Sequence, residues 1–249
     1  MSAVARRETR TAQTASPGRA SLSLLNAFEL RCDGRLVNLP RSAQRLLAFV
    51  ALHEHPLQRV YVAGTLWIDA TDDRAGASLR SSLWRLNRPG HLLVEATSTH
   101  LRLAPGVDVD LRRALGVAHR LLDGSADAAD LDVGEAALRG ELLPDWYDEW
   151  LIFERERFRQ VSLHALEALA ERLVRAGDVA RALEAALSAV RSEPLRESAH
   201  RVLIGLHLAE GNRGEALRQY ELCRRLLRNG LGVEPSAQLD ELLDLATAQ

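Results

Sequence analysis

The sequence predicts an α+β winged helix-turn-helix domain over residues 21–110, followed over 111–249 by an all-α, tetratricopeptide-like helical repeat domain. Three observations predict this. Strand-like alternation near the start gives way to three short helical patterns and then to a second alternating pair. A helix-turn-helix signature recurs at an offset of 34 residues, the tetratricopeptide period. Charge divides at the same place: residues 1–110 carry 14 Arg against 10 acids, and residues 111–249 carry 18 Arg against 24. A formal net charge of −2 therefore hides two halves of opposite sign.

The bulk composition narrows the chemistry. Of 249 residues, 47% are hydrophobic but only 4% aromatic, so the cores rest on Leu, Val and Ala, which favours helices. No lysine occurs, which excludes a GxxxxGK[ST] phosphate loop and Schiff-base catalysis. Cys32 and Cys223 form no metal or redox spacing, and both are expected as buried small hydrophobes. No apolar run reaches 18 residues, so no membrane partner is expected. The opening MSAVARRETRTAQTASPGRA (1–20) has no apolar h-region; it reads as a disordered basic tail rather than a signal peptide. A cytoplasmic protein is expected.

LSLLNAFELRCDGRLVNLP (22–40) alternates as strands do, with Asp33-Gly34 as a hairpin turn. After Pro40, SAQRLLAFVALHE predicts a helix with Ser42 as N-cap and Leu46, Leu47, Val50 and Ala51 inward. VYVAGTLWID (60–69) predicts a second helix with Val60, Leu66 and Trp67 inward. Thr71 then caps a third helix, and Asp72 and Asp73 place negative charge in its first turn. On that helix Ala75, Leu79, Leu83 and Leu86 form one stripe, with Arg74, Ala77, Ser78, Ser81, Trp84, Arg85 and Arg88 opposite. Pro89-Gly90 ends it. HLLVE (91–95) and HLRLAP (100–105) flank a polar tip, ATST (96–99), in a hairpin that Val107 and Val109 extend.

Strands, three helices and a hairpin are the order of a winged helix with an N-terminal sheet. There the third helix enters the major groove and the hairpin rides on the backbone. Residues 74–102 hold five Arg against Glu95 alone, the footprint of a nucleic-acid binder. Arg reads guanine O6 and N7 in a bidentate way, Ser serves base edges or phosphates, and the helix N-terminus can meet a phosphate. Such a face is also what a merely solvated helix shows; the surrounding element order favours recognition. Trp84 stays open between a DNA contact and packing against the hairpin or the second domain.

In the second domain RAGDVARAL (175–183) aligns with AEGNRGEAL (209–217), pairing Gly177 with Gly211, Ala182 with Ala216 and Leu183 with Leu217. Small Ala residues let helices approach and Gly turns the chain between them. Helices from 111–122, 131–139 and 148–176 are expected to complete the stack. Pro194 closes the first repeat, while the later Pro235 implies a longer final helix or a loop. Trp146, Tyr147, Trp150, Phe153 and Phe158 are expected in the core. A domain of this kind binds protein.

Nothing in the sequence calls for catalysis, a cofactor or a metal. His53 and His55 have no accompanying Cys or carboxylate cluster, and Glu197-x-x-His200 reads as a surface or capping contact. No GxSxG or GxGxxG occurs.

The motifs LLPDWYDEWLIFERERFRQ, EPLRESAHRVLIGLHLAEGNRGEALRQY and LGVEPSAQL, preceded by RLLAFVAL, TLW and SLRSSLWRLNR, resemble the small SARP-type regulators (the Streptomyces antibiotic regulatory protein family). These join an OmpR-like winged helix to a bacterial transcriptional activation domain, or BTAD. The resemblance implies an activator that binds promoter direct repeats as two protomers and recruits RNA polymerase holoenzyme, including its sigma factor. It implies DNA contacts from Arg74, Ser78, Ser81, Arg85 and Arg88, with Trp84 beside them, and from Thr97, Ser98, Thr99, His100 and Arg102 on the wing. Glu54, His55, Gln58 and Arg59 are the polymerase-contact candidates. Larger members append an ATPase module; with no Walker motif here, ATP-driven regulation is not expected. The alternative is a helical-repeat adaptor whose winged helix binds protein instead of DNA, although such an adaptor has no need of five Arg on one segment.

Overall fold

The computed structural model describes residues 19–87 and 91–247. Most of the expected basic tail (1–20), together with Arg88 and Pro89-Gly90, lies outside the described residues. The chain forms two compact units, one of residues up to Leu22 plus Glu29–Asp108, the other of Ser23–Phe28 plus 109–249.

In the first unit, β1 (Ala20–Ser23), β2 (Glu29–Cys32) and β3 (Arg35–Leu36) belong to a four-stranded sheet of order β3-β2-β1-β7, where β7 is Val107–Val109. Asp33 and Gly34 join β2 to β3 with φ of 50° and 76°, the left-handed pair a two-residue type I′ hairpin requires. Val107 and Val109 thus do not extend the wing: their alternation fits any sheet, and the tertiary fold pairs them with β1. Cys32, at the end of β2, is only half-buried, and neither cysteine forms a disulfide.

Three helices follow: α1 (Arg41–Leu52), α2 (Arg59–Leu66) and α3 (Asp72–Leu86). Helix α1 starts one residue before the expected cap. Pro40, not Ser42, is its N-cap, and the Pro40 carbonyl accepts from Ala43 and Gln44 at 2.9 and 3.0 Å. Leu46, Leu47, Val50 and Ala51 are buried as expected. On α2 the inward residues are Val62, Ala63 and Leu66; Val60 is 80% exposed and Trp67 half-buried. Two helical turns are too short for periodicity to fix a face. Thr71 is the N-cap of α3, without a side-chain capping bond.

The wing is a three-stranded sheet of order β4-β6-β5, built from β4 (Leu57–Gln58), β5 (Val94–Ala96) and β6 (His100–Leu103). Leu57 and Gln58 become a strand because β6 offers them an edge, opposite Leu101 and His100.

The second unit is a helical stack: α4 (Asp110–Asp123), α5 (Ala128–Leu138), α6 (Trp150–Arg175), α7 (Val179–Ser192), α8 (Glu197–Ala209), α9 (Arg213–Leu231) and α10 (Ala237–Thr247). Ser23–Phe28 joins it, turning at Asn26 with φ of 67°. The Leu24 and Leu25 amides donate to the Asp110 carboxylate at 2.8 and 3.1 Å. Burial still raises the Asp110 pKa, outweighing these backbone donors.

The repeat is reproduced bond for bond. After α6, Asp178 N donates to Leu173 O and Gly177 N to Val174 O; after α8, Asn212 N donates to His207 O and Gly211 N to Leu208 O, all 2.8–3.0 Å. This is a Schellman turn twice over, with Gly177 and Gly211 at φ of 79° and 76°. Ala182 and Ala216 are fully buried one turn later, where a larger side chain would hold the helices apart. Helix α9 outlasts α7 by five residues and ends at Gly232 in the left-handed region, before the loop containing Pro235.

Two expectations fail in this unit. Trp146 and Phe158 are buried, but Tyr147 is 93% and Phe153 82% exposed, because only one side of this segment meets the stack. His200 is no surface contact. It is fully buried, with Nε2 donating to the Pro194 carbonyl at 3.0 Å, while Glu197 instead accepts from the Ser236 amide at 2.8 Å.

Candidate nucleic-acid interface

Helix α3 is amphipathic, and packing leaves one side of it open. Ala75, Leu79, Leu83 and Leu86 are buried. Arg74, Ser81 and Arg85 are exposed on the opposite side, with Ser78 half-buried among them. Trp84 is 79% exposed, so it joins this face rather than the core. Arg88 lies outside the described residues. Arg80, also exposed, was missed by sequence reasoning because it falls to one flank of the face. The signal available was simply that it is a fourth Arg in the same run.

The wing tip presents Thr97, Ser98 and Thr99 to solvent, with His100 half-buried. Its shape is held internally. Thr97 N donates to His100 O, and His100 N to Thr97 Oγ1, both at 2.9 Å. Arg59, the first residue of α2, ties the tip to the helices. Its amide donates to Thr99 O at 2.8 Å and its guanidinium to Thr97 O at 3.1 Å. A groove of about 370 Å³ lies between α2, α3 and Ser98, with Arg59, Arg80 and Asp72 on its walls.

The electrostatics are less uniform than the Arg count suggests. Arg102 is engaged across the strands with Glu95 at 2.5 Å, its register partner. Exposed Asp72 and Asp73 occupy the positive end of the α3 dipole, which removes the attraction that end would have for a phosphate. Positive charge is therefore concentrated along the side of α3, at Arg74, Arg80 and Arg85.

Glu54 and His55 are exposed in the connection between α1 and α2, and Gln58 is exposed on β4 opposite His100. Arg59 is half-buried and joined to the wing tip by the bonds above. The His53 and His55 rings lie 5.8 Å apart, edge to face. Among the described residues, no group of three His, Cys, Asp or Glu could hold a metal, and no helix is long and apolar enough to cross a membrane.

A family model for the bacterial transcriptional activator domain matches residues 107–244, more than half of the chain. The chain belongs to the bacterial transcriptional activator domain family. It is a SARP-type transcriptional regulator, which is not an enzyme class. The regulatory protein AfsR of Streptomyces coelicolor is 30% identical over 226 residues, a match covering 84% of this chain and 22% of AfsR. This BTAD-family chain thus spans about a fifth of that relative's length. Mycobacterium tuberculosis EmbR, solved in complex with a low-affinity phosphopeptide, superposes with a TM-score of 0.77 at 20% identity. That match covers 93% of this chain and 66% of the EmbR chain, and it shows a shared fold: a winged helix-turn-helix followed by a helical domain.

Proposed function

We propose that this regulator binds duplex promoter DNA through α3 and the wing, and activates transcription by recruiting RNA polymerase. The observation that carries the reading is the open side of α3. Three described Arg and two Ser point away from the core there, on a helix of the length that fills a major groove. Arg74, Ser78, Ser81, Arg85 and Arg88 meet base edges or phosphates, and Trp84 meets a thymine methyl or the sugar chain. Thr97, Ser98, Thr99 and His100 ride on the adjoining backbone. Arg102 joins them only by leaving Glu95.

Two protomers sit on direct repeats. Glu54, His55, Gln58 and Arg59 face the holoenzyme with its sigma factor, and the cytoplasmic nucleoid is the place of action. Arg59 has a second duty in this reading, as the tether of the wing tip.

The test is selection of bound fragments from the organism's own genome, followed by a salt series on the best one. Enrichment of a direct-repeat motif is expected, with affinity falling about 10³–10⁵ between 50 and 200 mM salt. No enrichment and no salt dependence would overturn the reading and leave the adaptor alternative.

A further inference from the structure

The second unit contains a cavity of about 250 Å³ that plays no part in the interface above. One wall is a single face of α6: Arg155, Phe158, Arg159, Ser162, Leu163 and Leu166 recur at three- and four-residue steps. The facing wall is the chain from Leu138 to Pro144, and Ser192 of α7 closes one end.

The apolar side chains make a floor. Phe158, Leu163, Leu166, Leu138 and Leu142 are all buried. Set into that floor is the Ser162 hydroxyl. Ser162 is 5% exposed, and its Oγ has no hydrogen-bond partner among the described residues. A buried hydroxyl left unpaired destabilises the fold, so an occupant that bonds it is favoured.

Arg155 supplies the charge. Its Nε donates to Leu142 O at 2.8 Å, and its Nη2 donates to Trp146 O at 2.6 Å and to Leu143 O. These bonds use three of the five guanidinium N–H groups, all on neutral carbonyls, and Arg155 makes no ion pair among the described residues. Arg159 is different, already held by Glu156 and Glu193. Arg139 stands 3.7 Å from Glu135. The carboxylate among the lining residues is Glu141, which is exposed at the rim.

We propose that this cavity binds a small apolar molecule bearing one carboxylate. The carboxylate pairs with Arg155 and accepts from Ser162, while the hydrocarbon part covers Phe158, Leu163 and Leu166. A dry cavity of 150 Å³ holds benzene, so this one suits about ten non-hydrogen atoms.

The test titrates phenylacetate, phenylbutyrate and octanoate, with the corresponding amides, into the full chain by calorimetry and by nitrogen-15 NMR. At least one carboxylate is expected to saturate with a dissociation constant below about 1 mM. Its amide is expected to bind about tenfold more weakly, since a charge-assisted bond becomes a neutral one. Ser162→Ala is expected to weaken the carboxylate several-fold while leaving the melting temperature of the empty protein unchanged or higher. A serine with only a packing role would not separate those two readouts. No saturation by any carboxylate, equal binding of the amides, or unchanged affinity in S162A each overturns the proposal. No DNA enters the experiment, so its failure and that of the DNA-binding reading are independent.

Discussion

Gln219 on α9 donates its side-chain amide to Nδ1 of His200 on α8, at 2.7 Å. The Pro194 carbonyl can only accept, so Nε2 carries the ring proton and Nδ1 is left as the acceptor that Gln219 needs. One neutral tautomer satisfies both bonds. Protonation would set an N–H against the amide of Gln219, inside a fully buried site.

Burial accordingly holds the His200 pKa below its ordinary value, outweighing the bond to Pro194 and the opposing pull of nearby Glu197. The unfolded chain takes up a proton near pH 6.5 that the folded ring refuses. The contribution of His200 to stability is thus complete above about pH 6.5 and declines as pH falls below it. Urea unfolding at pH 7.5 and 5.5 is expected to show this loss in the wild type and a smaller one in His200→Gln. Equal slopes in both proteins would contradict it. His200→Ala is expected to cost about 2–4 kcal/mol, through a cavity and two stranded polar partners.

Arg85 stands on the open side of α3, in its last turn. Arg85→Ala is expected to weaken specific DNA binding by about 1–3 kcal/mol and to relax preference at one base pair. Selection from a randomised site reads the second effect directly. Loss spread evenly over all sequences, with the salt slope reduced by about one, would make Arg85 a phosphate contact instead.

Glu95→Gln removes the acid that holds Arg102 on the wing. An exposed cross-strand pair of this kind contributes about 0–1 kcal/mol, so the fold should barely notice. DNA affinity is expected to rise, and its salt dependence to steepen by about one released counterion. Unchanged binding would place Arg102 away from the duplex.

Gly177 and Gly211 turn the two repeats at positive φ, yet a Cβ at either would meet nothing within 4 Å. Alanine at each is expected to cost about 1–2 kcal/mol, all of it backbone strain. Gly205, inside α8 with equally open space, is the control, where alanine should stabilise by about 0.5–1 kcal/mol. Thermal unfolding of the three variants separates conformation from crowding.

Both repeat turns could be read from the chain because a Schellman turn is local. Six consecutive residues carry its bonds, and the glycine that permits them is visible at a spacing of 34. The stripe of Ala75, Leu79, Leu83 and Leu86 was legible for a similar reason: over four turns, periodicity averages out single exceptions. Val60 shows where that averaging fails, and Tyr147 and Phe153 show that aromatic content does not say which side of a segment the core will reach.

Sequence by itself determined the two-part architecture, the segregation of charge, the Arg/Ser side of α3 and the doubled turn. Each depends on residues close together in the chain, or on composition. Tertiary structure alone decided that Leu57 and Gln58 join the wing, that Val107–Val109 pairs with β1, and that Glu95 neutralises Arg102. It also decided that His200 meets Gln219, and that Ser162 and Arg155 line one cavity with Leu138. Strand pairing, ion-pair partners and cavities belong to residues far apart in sequence. A strand's alternation names no neighbour, and a polar side chain carries no sign of which partner, if any, will reach it.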